Sequence, residues 1–312
     1  MTAPSSSGVD LEGLLAQTSR TFALSIPLLP EPTRREVTIA YLLFRIADTF
    51  EDAAIWPAAA RTEALERFSA LLREPSGNLT EARRLAAEWA AAKPSEHAGY
   101  VTLVGQTPAV LEELLALSPA AISPIREHVL RSAAGMAGFV TRTGDSGELT
   151  LNDLNDLRDY CYAVAGIVGE MLTELFLLER PELSPVALTL RDRASFFGEA
   201  LQLVNILKDS DDDAAEGRRY VGAGLDRTDV FALARRDLDS AAEYILAIQS
   251  AGAPRGLLAF TALPVELAWA TLAKVEEEGP GSKISRLEVA SIVARLNRVL
   301  DRGKPAARVR KK

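Results

Sequence analysis

Helical periodicity is the feature that most constrains this chain. Apolar residues recur at helical spacing along almost the whole sequence, in segments of about 12 to 30 residues. The clearest segment runs from Leu151 to Leu178, and Thr150 is its expected N-cap. Proline and small polar residues, such as Ser123-Pro124, separate the segments. The only strand-like run, Tyr100 to Val104, is short, so the sequence predicts an all-α protein of roughly ten or more helices.

Composition then excludes several classes of protein. Hydrophobic residues make up 48% of the chain and charged residues 25%, which is typical of a globular protein. The formal charge of −8 argues against a nucleic-acid-binding face. A single cysteine, Cys161, rules out an intrachain disulfide, fits a reducing compartment and is expected to be a core thiol. The first ten residues lack the features of a secretory signal, and no uninterrupted apolar run reaches the ~18 residues of a spanning helix.

No linker long enough to separate domains is present. We therefore expect a single folded domain over residues 19–301, with an N-terminal segment at 1–18 and a basic C-terminal tail at 302–312. The tail is predicted to be solvated and disordered. The alternative is a weak attraction to an anionic membrane, at about 1 kcal/mol per basic residue. Gly166 and Gly169, inside the clearest helical segment, would let another helix or a ligand approach the backbone closely.

Two acidic clusters carry the chemical signal. The first contains Asp48 and Asp52, and the second contains Asp209 and Asp213, so each cluster has an aspartate pair at i and i+4 on one helix face. Both pairs are expected near the C-terminal end of a helix, where the helix dipole disfavours anions. Bridging divalent cations would explain this placement, and Mg²⁺ prefers such oxygen ligands. The alternative is that each cluster is a solvated charged face.

Basic residues accompany both clusters. Arg45 precedes Asp48 by three positions, and Lys208, Arg218 and Arg219 flank the second cluster. Phosphate oxygens bound beside a metal would need such partners. The simpler interpretation of each basic residue is charge pairing with the neighbouring acids.

Other chemistries have weaker support. Neither His97 nor His128 stands three residues after a glutamate, so the Glu-x-x-His pattern of a di-iron bundle is missing. Both histidines are expected at the surface or between helices. The Gly222-Ala-Gly224 sequence has no preceding strand, and therefore does not indicate a dinucleotide fold.

Five segments, in the same order, resemble the squalene/phytoene synthases, the head-to-head prenyl transferases. The resemblance covers about Ser19 to Arg295. The segments are Ser19-Arg-Thr-Phe22, Tyr41-x-x-x-Arg45-x-x-Asp48-Thr-x-Glu-Asp52, Asp159-Tyr-Cys161 with Val164-Ala-Gly-Ile-Val-Gly169, Gln202-x-x-Asn205 through Asp213 with Gly217-Arg218-x-Tyr220, and Phe260 to Pro264 with Ala270-Thr-Leu272. The first aspartate motif has the form typical of the squalene-forming branch.

The resemblance implies an isoprenoid synthase fold, a helical bundle around a central apolar cavity. The implied metal ligands are Asp48, Glu51, Asp52, Asp209 and Asp213. The implied catalytic residues are Tyr41, Arg45, Tyr160, Gln202 and Asn205, with Tyr160 as the base. The implied substrate-binding residues are Ser19, Arg20, Phe22, Val164, Gly169, Leu172, Lys208, Arg218, Tyr220, Phe260 and Pro264, of which the basic ones, together with Arg45, would meet diphosphate oxygens. Aromatic faces such as Phe22, Phe50 and Tyr160 would shield a carbocation.

The implied reaction is an Mg²⁺-dependent condensation of two farnesyl diphosphates to presqualene diphosphate, followed by reduction to squalene with NADPH. Three alternatives stay open: a family member that stops at presqualene diphosphate or forms dehydrosqualene or phytoene without a reductant, a class I terpene cyclase, and a non-enzymatic helical scaffold. Val221 and Val265 stand where squalene synthases commonly carry an aromatic residue and Gln, and both positions lie near the region expected to serve the reductive step.

The expected setting follows from the same resemblance. The resemblance implies a soluble form, more like the bacterial members of the family, without the C-terminal membrane helix of eukaryotic relatives. We expect a cytoplasmic protein, with peripheral contact at the inner face of the membrane to load or release lipid. We expect a monomer and no nucleic-acid partner.

Overall fold

The computed structural model describes residues 8–143, 148–215, 217–221 and 225–310, and these residues are almost entirely helical. This confirms the prediction of an all-α protein. Two strands of two residues each, β1 (Leu149–Thr150) and β2 (Arg218–Arg219), pair in parallel. The helices are α1 (Leu11–Thr18), α2 (Phe22–Ser25), α3 (Thr33–Glu51), α4 (Ala58–Arg73), α5 (Leu79–Ala92), α6 (Ala98–Gly105), α7 (Thr107–Leu115), α8 (Pro119–Arg142), α9 (Leu154–Cys161), α10 (Ile167–Glu179), α11 (Ala187–Ala215), α12 (Arg227–Ser250), α13 (Arg255–Glu278) and α14 (Arg286–Asp301).

The chain divides into two compact units. The first comprises Met1–Leu24 and Glu31–Gly147, and the second comprises Ser25–Pro30 and Glu148–Lys312. The N-terminal segment is integrated into the first unit, because α1 buries Leu14 and Leu15 and packs on α3 and α6. The expectation of one domain over residues 19–301 stays a prediction.

An aromatic cluster stabilises the first unit around the end of α3. The Phe50 ring lies 4.7 Å from the Trp89 ring and 6.2 Å from those of Trp56 and Phe68, centroid to centroid. Phe50 is fully buried. Aromatic pairs at these separations add about 0.5–1.5 kcal/mol each beyond the burial of their area. The cluster therefore anchors the C-terminal turn of the helix that carries the first acidic pair.

In the first unit, the structure resolves one ambiguous run and shows that one predicted break between helices is wrong. The strand-like run Tyr100 to Val104 is part of helix α6, because packing of this helix against α1, α3 and α5 overrides its weak β-propensity. Ser123-Pro124 does not end a helix, since α8 continues through Pro124. A proline this close to the start of a 24-residue helix removes only one backbone hydrogen bond, and the packing of α8 on α3 and α4 compensates for it.

Helix α11 is the centre of the second unit, where it packs against α10, α12 and α13. Its contacts with α10 and with the π-helical turn Tyr162–Gly166, directly before α10, are very close. A Cβ atom on Gly169 would lie 2.0 Å from the Ala194 carbonyl oxygen, and one on Gly198 would lie 1.9 Å from the Ala165 carbonyl oxygen. The close approach predicted for Gly169 is therefore an approach of another helix.

The predicted helix from Leu151 to Leu178 begins later than expected. Asp153, and not Thr150, is its N-cap, and its side chain accepts hydrogen bonds from the backbone of Asn155 and Asp156. Thr150 instead pairs with Arg219 in the parallel bridge. The helix also has a π-helical turn, Tyr162–Gly166, between α9 and α10. Such turns are uncommon and often lie at functional sites.

The basic tail was expected to be disordered, but the structure packs it onto the second unit as far as Arg310. Ala306 and Ala307 are buried, and Gln249 hydrogen-bonds the backbone of Lys304 and Ala306. The Arg310 guanidinium lies 4.5 Å from the centre of the Trp269 ring. Lys311 and Lys312 lie outside the described residues.

Two helical segments of the described chain are long and apolar enough to cross a membrane by length and composition. They are Leu154–Glu179 and Arg255–Glu278, and their apolar windows are 56% and 72% buried inside the structure. Core helices of globular proteins pass the same test, so these segments are weak evidence for a membrane span.

Candidate functional site

The first acidic pair lies at the C-terminal end of α3, as predicted. Helix α3 ends at Glu51, and Asp52 is its C-cap, with the Asp52 amide donating to the Asp48 carbonyl over 2.8 Å. Asp48 is half-buried, Asp52 is exposed, and Glu51 is buried. The helix thus holds Asp48 and Asp52 one turn apart at its negative pole.

Burial raises the pKa of Asp48 to about 6. This pKa is the balance of three causes: burial, which raises it most, the Arg45 guanidinium, which lowers it, and the nearby Asp52 carboxylate, which raises it. An aspartate whose ionised form is disfavoured in this way would be stabilised by an additional cation. The arrangement fits a cation-binding carboxylate pair better than a freely solvated charged face.

Arg45 is held in place by aromatic residues and by Asp48. Its Nη1 lies 3.3 Å from the Asp48 carboxylate, and its Nε donates to the Tyr41 hydroxyl over 3.3 Å. Its guanidinium also lies 5.7 Å from the Tyr41 ring centre and 5.4 Å from the Tyr100 ring centre. The Tyr41 hydroxyl donates to the Thr18 carbonyl over 2.9 Å. Arg45 therefore presents a fixed cation next to the first acidic pair.

The early Ser-Arg-Thr-Phe segment follows α1 in the same unit. The Ser19 hydroxyl oxygen accepts a hydrogen bond from the Phe22 amide over 2.9 Å. This bond turns the chain, and the Phe22 ring packs 5.5 Å from the Tyr41 ring. Arg20 is exposed. Phe50, by contrast, was expected to shield a cation, but its ring is enclosed in the aromatic core, so this expectation is wrong.

The second acidic pair lies near the C-terminal end of α11, in the second unit. Lys208 Nζ lies 3.0 Å from the Asp209 carboxylate and also reaches the Asn205 amide oxygen at 3.5 Å. Arg218 donates to the Asp213 carboxylate over 3.1 Å. Gln202 is half-buried on α11, two turns before Asp209. Each of the basic residues Arg45, Lys208 and Arg218 is thus paired with an acid. Charge pairing is the simpler of the two interpretations that the sequence left open for them.

The parallel bridge positions the segment that follows the second pair. The Leu149 amide donates to the Gly217 carbonyl over 2.9 Å, and β1 pairs Leu149 with Arg218. This bridge ties the start of the α9 region to the chain just beyond α11. Arg218 and Tyr220 are consequently fixed relative to α9.

Tyr160 and Tyr220 form a buried pair in the second unit. Their hydroxyl oxygens are 2.8 Å apart, and their rings stack with centroids 4.8 Å apart. Both side chains are at most 5% exposed. Tyr160 lies on α9, directly before Cys161 and the π-helical turn. The resemblance assigned both tyrosines to the site. The sequence did not indicate that a hydrogen bond would join their hydroxyl groups.

The predicted apolar binding residues of the second unit differ in accessibility. Leu172, Phe260 and Pro264 are buried, and the Phe260 ring packs edge-on against the Phe176 ring at 6.0 Å. Val164 is half-buried in the π-helical turn. Gly169 faces α11, as described above. A substrate-binding role for these residues stays a prediction.

Two groups of site residues were missed by the sequence reasoning. Tyr100 was assigned to a strand-like run, but its ring contacts the Arg45 guanidinium. The second group is a buried acidic cluster of Glu199 on α11 and Asp237 on α12, near Cys161. Asp237 follows Arg235 and Arg236 in the sequence, and such a run of charged residues is typical of an exposed helix face. Only the packing of α12 shows that Asp237 is buried.

The ionisable groups of this buried cluster are strongly perturbed. Burial raises the pKa of Asp237 to about 7, and the neighbouring Glu199 adds to the effect. Burial also raises the pKa of Glu199, and it raises that of the Cys161 thiol well above its usual value. As predicted, Cys161 is a free, buried thiol. Its chemistry is therefore that of an inert core residue.

The donor set of each pair fits Mg²⁺. Within the described part of the chain, no three His, Cys, Asp or Glu side chains stand close enough together to hold a metal ion by themselves. Mg²⁺ is usually held by one or two carboxylates together with waters and substrate phosphates. Asp48 with Asp52, and Asp209 with Asp213, each supply that number of oxygen ligands. The two histidines do not contribute, since His97 is the exposed N-cap of α6 and His128 bonds the Pro124 carbonyl.

Comparison with known proteins agrees with this geometry. The sequence model of the squalene/phytoene synthase family matches residues 15–225. The squalene synthase of Mycosarcoma maydis is 31% identical over 214 residues, covering 68% of this chain and 34% of that protein. Botryococcus squalene synthase from Botryococcus braunii is 29% identical over 207 residues (65% of this chain, 39% of that protein), and the squalene synthase of Rattus norvegicus is 29% identical over 206 residues (66% and 44%).

The matched region thus spans less than half of the length of these relatives. A solved structure of TcSQS with the ligand E5700 superposes with a TM-score of 0.73 at 23% identity, covering 91% of this chain and 84% of that one. This level of similarity shows a shared fold.

Proposed function

The chain belongs to the squalene/phytoene synthase family and has the all-α isoprenoid synthase fold, and from this premise we propose that it is a squalene synthase. The proposed substrates are two molecules of farnesyl diphosphate, joined head to head to presqualene diphosphate and then reduced to squalene. The observation that carries the proposal is the identity of about 30% to squalene synthases over more than 200 residues. The family match over residues 15–225 includes both acidic pairs and Tyr160.

Diphosphate departure is the first chemical requirement. Diphosphate is a poor leaving group until its charge is neutralised, and Mg²⁺ held by Asp48, Asp52, Asp209 and Asp213 would supply much of that neutralisation. Arg45, Lys208 and Arg218 supply further positive charge. Each is already paired with an acid of its own cluster, at 3.3, 3.0 and 3.1 Å. In the proposed complex these cations exchange part of that pairing for diphosphate oxygens.

Departure leaves an allylic cation that must be protected from water. The new bond forms between C1 of this cation and the C2–C3 double bond of the second substrate, and loss of a C1 proton then closes the cyclopropane ring. Aromatic faces near the cation stabilise it by up to ~2 kcal/mol each when desolvated. Phe22 with Tyr41 in the first unit, and Tyr160 with Tyr220 in the second, are the aromatic pairs that support this role.

Tyr160 is the proposed base for that proton. Its oxygen lies 2.8 Å from the Tyr220 oxygen, so a hydrogen bond joins the two groups. The step balances if Tyr160 reacts as a phenolate, which would accept a hydrogen bond from the Tyr220 O–H and would become a neutral phenol by taking the substrate proton. Either O–H can then turn without movement of a ring. A positioned base of this kind typically contributes 10²–10⁴-fold to the rate.

The second half of the proposed reaction is a reduction. NADPH would supply a hydride to the rearranged cation formed when presqualene diphosphate loses its diphosphate. Two valines, Val221 and Val265, stand at positions where an aromatic residue and Gln are common. Both positions belong to the region expected to serve the reduction, so this is the step that the two differences would affect. We further propose a cytoplasmic, monomeric enzyme that contacts the membrane surface to exchange lipid.

The test is a product analysis with purified protein, farnesyl diphosphate and Mg²⁺, with and without deuterated NADPH. Squalene carrying one deuterium supports the full proposal. Presqualene diphosphate as the only product, at every NADPH concentration, would limit the protein to the first half-reaction, and dehydrosqualene as the only product would exclude the reduction by NADPH. Release of diphosphate with a cyclised product from one substrate would replace the proposal with a terpene cyclase.

A further inference from the structure

Arg61 is a buried arginine directed at the end of the helix that carries the first acidic pair. It lies one turn into α4 and is only 6% exposed. Its guanidinium Nη2 donates to the backbone carbonyl of Glu51, the last residue of α3. No sequence motif or resemblance singled out this residue.

The charge of Arg61 is not used in an ion pair. Within the described residues it forms no salt bridge, and its Nε is buried without a hydrogen-bond partner. Arg67, on the same helix, shows the ordinary arrangement: it is 40% exposed and pairs with Glu63 at 2.7 Å and with Glu88 at 3.4 Å. Burial of a guanidinium is costly in free energy. A buried arginine with a single backbone acceptor therefore indicates that its positive charge has a specific role at this position.

The C-terminal end of α3 explains why a positive charge is needed there. The last carbonyl groups of a helix have no partner within the helix, and they carry partial negative charge. Asp48 and Asp52 add two carboxylates at the same end. Arg61 satisfies one of these carbonyls and brings a positive charge to the place where anions are least favourable. It thereby fixes the turn from which both carboxylates project.

The second unit contains a similar contact. Arg227, the first residue of α12, donates to the Leu207 carbonyl over 3.1 Å and to the Ser210 hydroxyl over 3.2 Å. These acceptors lie on α11 on either side of Asp209. In each unit, the helix that follows the acid-bearing helix therefore directs an arginine at its backbone beside the acidic pair.

We propose that Arg61 is a positioning residue for divalent-cation binding by Asp48 and Asp52. This inference rests on the proposed function, because it assumes that the first acidic pair binds Mg²⁺ together with diphosphate. Arg61 itself touches neither the ion nor the substrate. It holds the C-terminal turn of α3 in the geometry in which both carboxylates face one cation.

The experiment measures Mg²⁺ binding without turnover. Thermal melting of the purified protein is followed at fixed inorganic diphosphate while Mg²⁺ is varied, and the half-saturating Mg²⁺ concentration is read from the rise in Tm. The variants are Arg61→Met, which removes the charge and keeps the length, Arg61→Lys, which keeps the charge, and the control Arg67→Met. Loss of a group that supports metal ligands typically weakens metal binding 10–100-fold.

We expect the half-saturating Mg²⁺ concentration of Arg61→Met to rise at least 10-fold, that of Arg61→Lys to rise less, and that of Arg67→Met to equal the wild type. If Arg61→Met does not fold, the shift in Arg61→Lys decides the question. A folded Arg61 variant with wild-type Mg²⁺ dependence would overturn the inference. A wild-type protein whose Tm does not respond to Mg²⁺ and diphosphate would instead count against the proposed function.

Discussion

The hydroxyl oxygens of Tyr160 and Tyr220 lie 2.8 Å apart in a buried pair, although 60 residues separate them in the sequence. One of the two O–H groups donates a hydrogen bond to the other. Donor and acceptor can exchange roles by rotation of the O–H groups, without movement of either ring. The parallel bridge between β1 and β2 fixes the chain on which Tyr220 stands. The pair therefore gives the proposed base a defined partner, which leads to the first prediction.

Removal of either hydroxyl should slow the first half-reaction by different amounts. Tyr160→Phe should reduce presqualene diphosphate formation by roughly 10²–10⁴-fold, as expected for loss of a general base. Tyr220→Phe removes only the partner and should cost about 10- to 100-fold, the equivalent of one hydrogen bond to a charged group. Single-turnover formation of presqualene diphosphate is the measurement. The control is Tyr244→Phe, which removes a buried hydroxyl bonded to Thr173. Unchanged first-step kinetics in Tyr160→Phe would exclude its role as base.

The acidic pairs should be essential for turnover but not for folding. Asp48→Asn and Asp209→Asn each remove one negative charge from a helix end that disfavours anions, so the melting temperature should stay the same or rise. Turnover should be abolished because a metal ligand is lost. Asp211→Asn, an exposed acid between the two members of the second pair, is the control and should retain activity. Circular dichroism melts and product assays are the measurements. Retained activity together with a large fall in melting temperature would indicate a structural role instead.

Asp237 should make the stability of the protein depend on pH. Neither of its carboxyl oxygens has a hydrogen-bond partner in the described part of the chain, and the nearest cation, Arg236, is 3.8 Å away. Arg158 and Glu199, from α9 and α11, are the other charged groups that act on it. Because burial raises the pKa of Asp237 from 3.8 to about 7, the folded state binds a proton that the unfolded state has lost between these values. Stability should therefore fall as pH rises through this window.

Asp237→Asn tests this dependence, because the amide is uncharged at every pH. We expect the variant to be more stable than the wild type at pH 8, by on the order of 2 kcal/mol, with little difference near pH 4. The measurement is the free energy of unfolding in urea at the two pH values. Asp229→Asn, on the exposed start of the same helix, is the control for removal of a carboxylate from α12 without burial. Parallel pH profiles for the wild type and Asp237→Asn would contradict the assignment.

The contact between α11 and the π-helical turn Tyr162–Gly166 should tolerate no side chain at Gly198. A Cβ there would lie 1.9 Å from a carbonyl oxygen of the neighbouring helix, so the backbones must separate. Gly198→Ala should therefore destabilise the protein by about 1–3 kcal/mol, as overpacking does. The matched control is Gly138→Ala in α8, where a Cβ meets nothing within 4 Å. This control should gain up to ~1 kcal/mol from helix propensity. Equal melting temperatures for the two variants would show that the helices can move apart at no cost.

The sequence by itself determined what depends on neighbours along the chain. Helical periodicity predicted the all-α fold, and the i, i+4 spacing placed Asp48 with Asp52, and Asp209 with Asp213, on single helix faces. The sequence also placed both pairs near the C-terminal ends of their helices, and α3 does end at Glu51 and α11 at Ala215. These features depend on dihedral angles and hydrogen bonds within a few residues, so they can be predicted without knowledge of the packing.

Only the tertiary structure decided how distant groups compensate one another. Whether Asp237 is buried, whether Arg61 reaches the Glu51 carbonyl, and whether Tyr160 meets Tyr220 all depend on contacts between separate elements. The same reason explains the wrong predictions: packing enclosed Phe50 in the core and ordered the basic tail against Trp269. It also decided that the strand-like run Tyr100 to Val104 is helical. Burial and electrostatic pairing depend on what lies opposite a side chain, and the local pattern of a sequence does not contain that information.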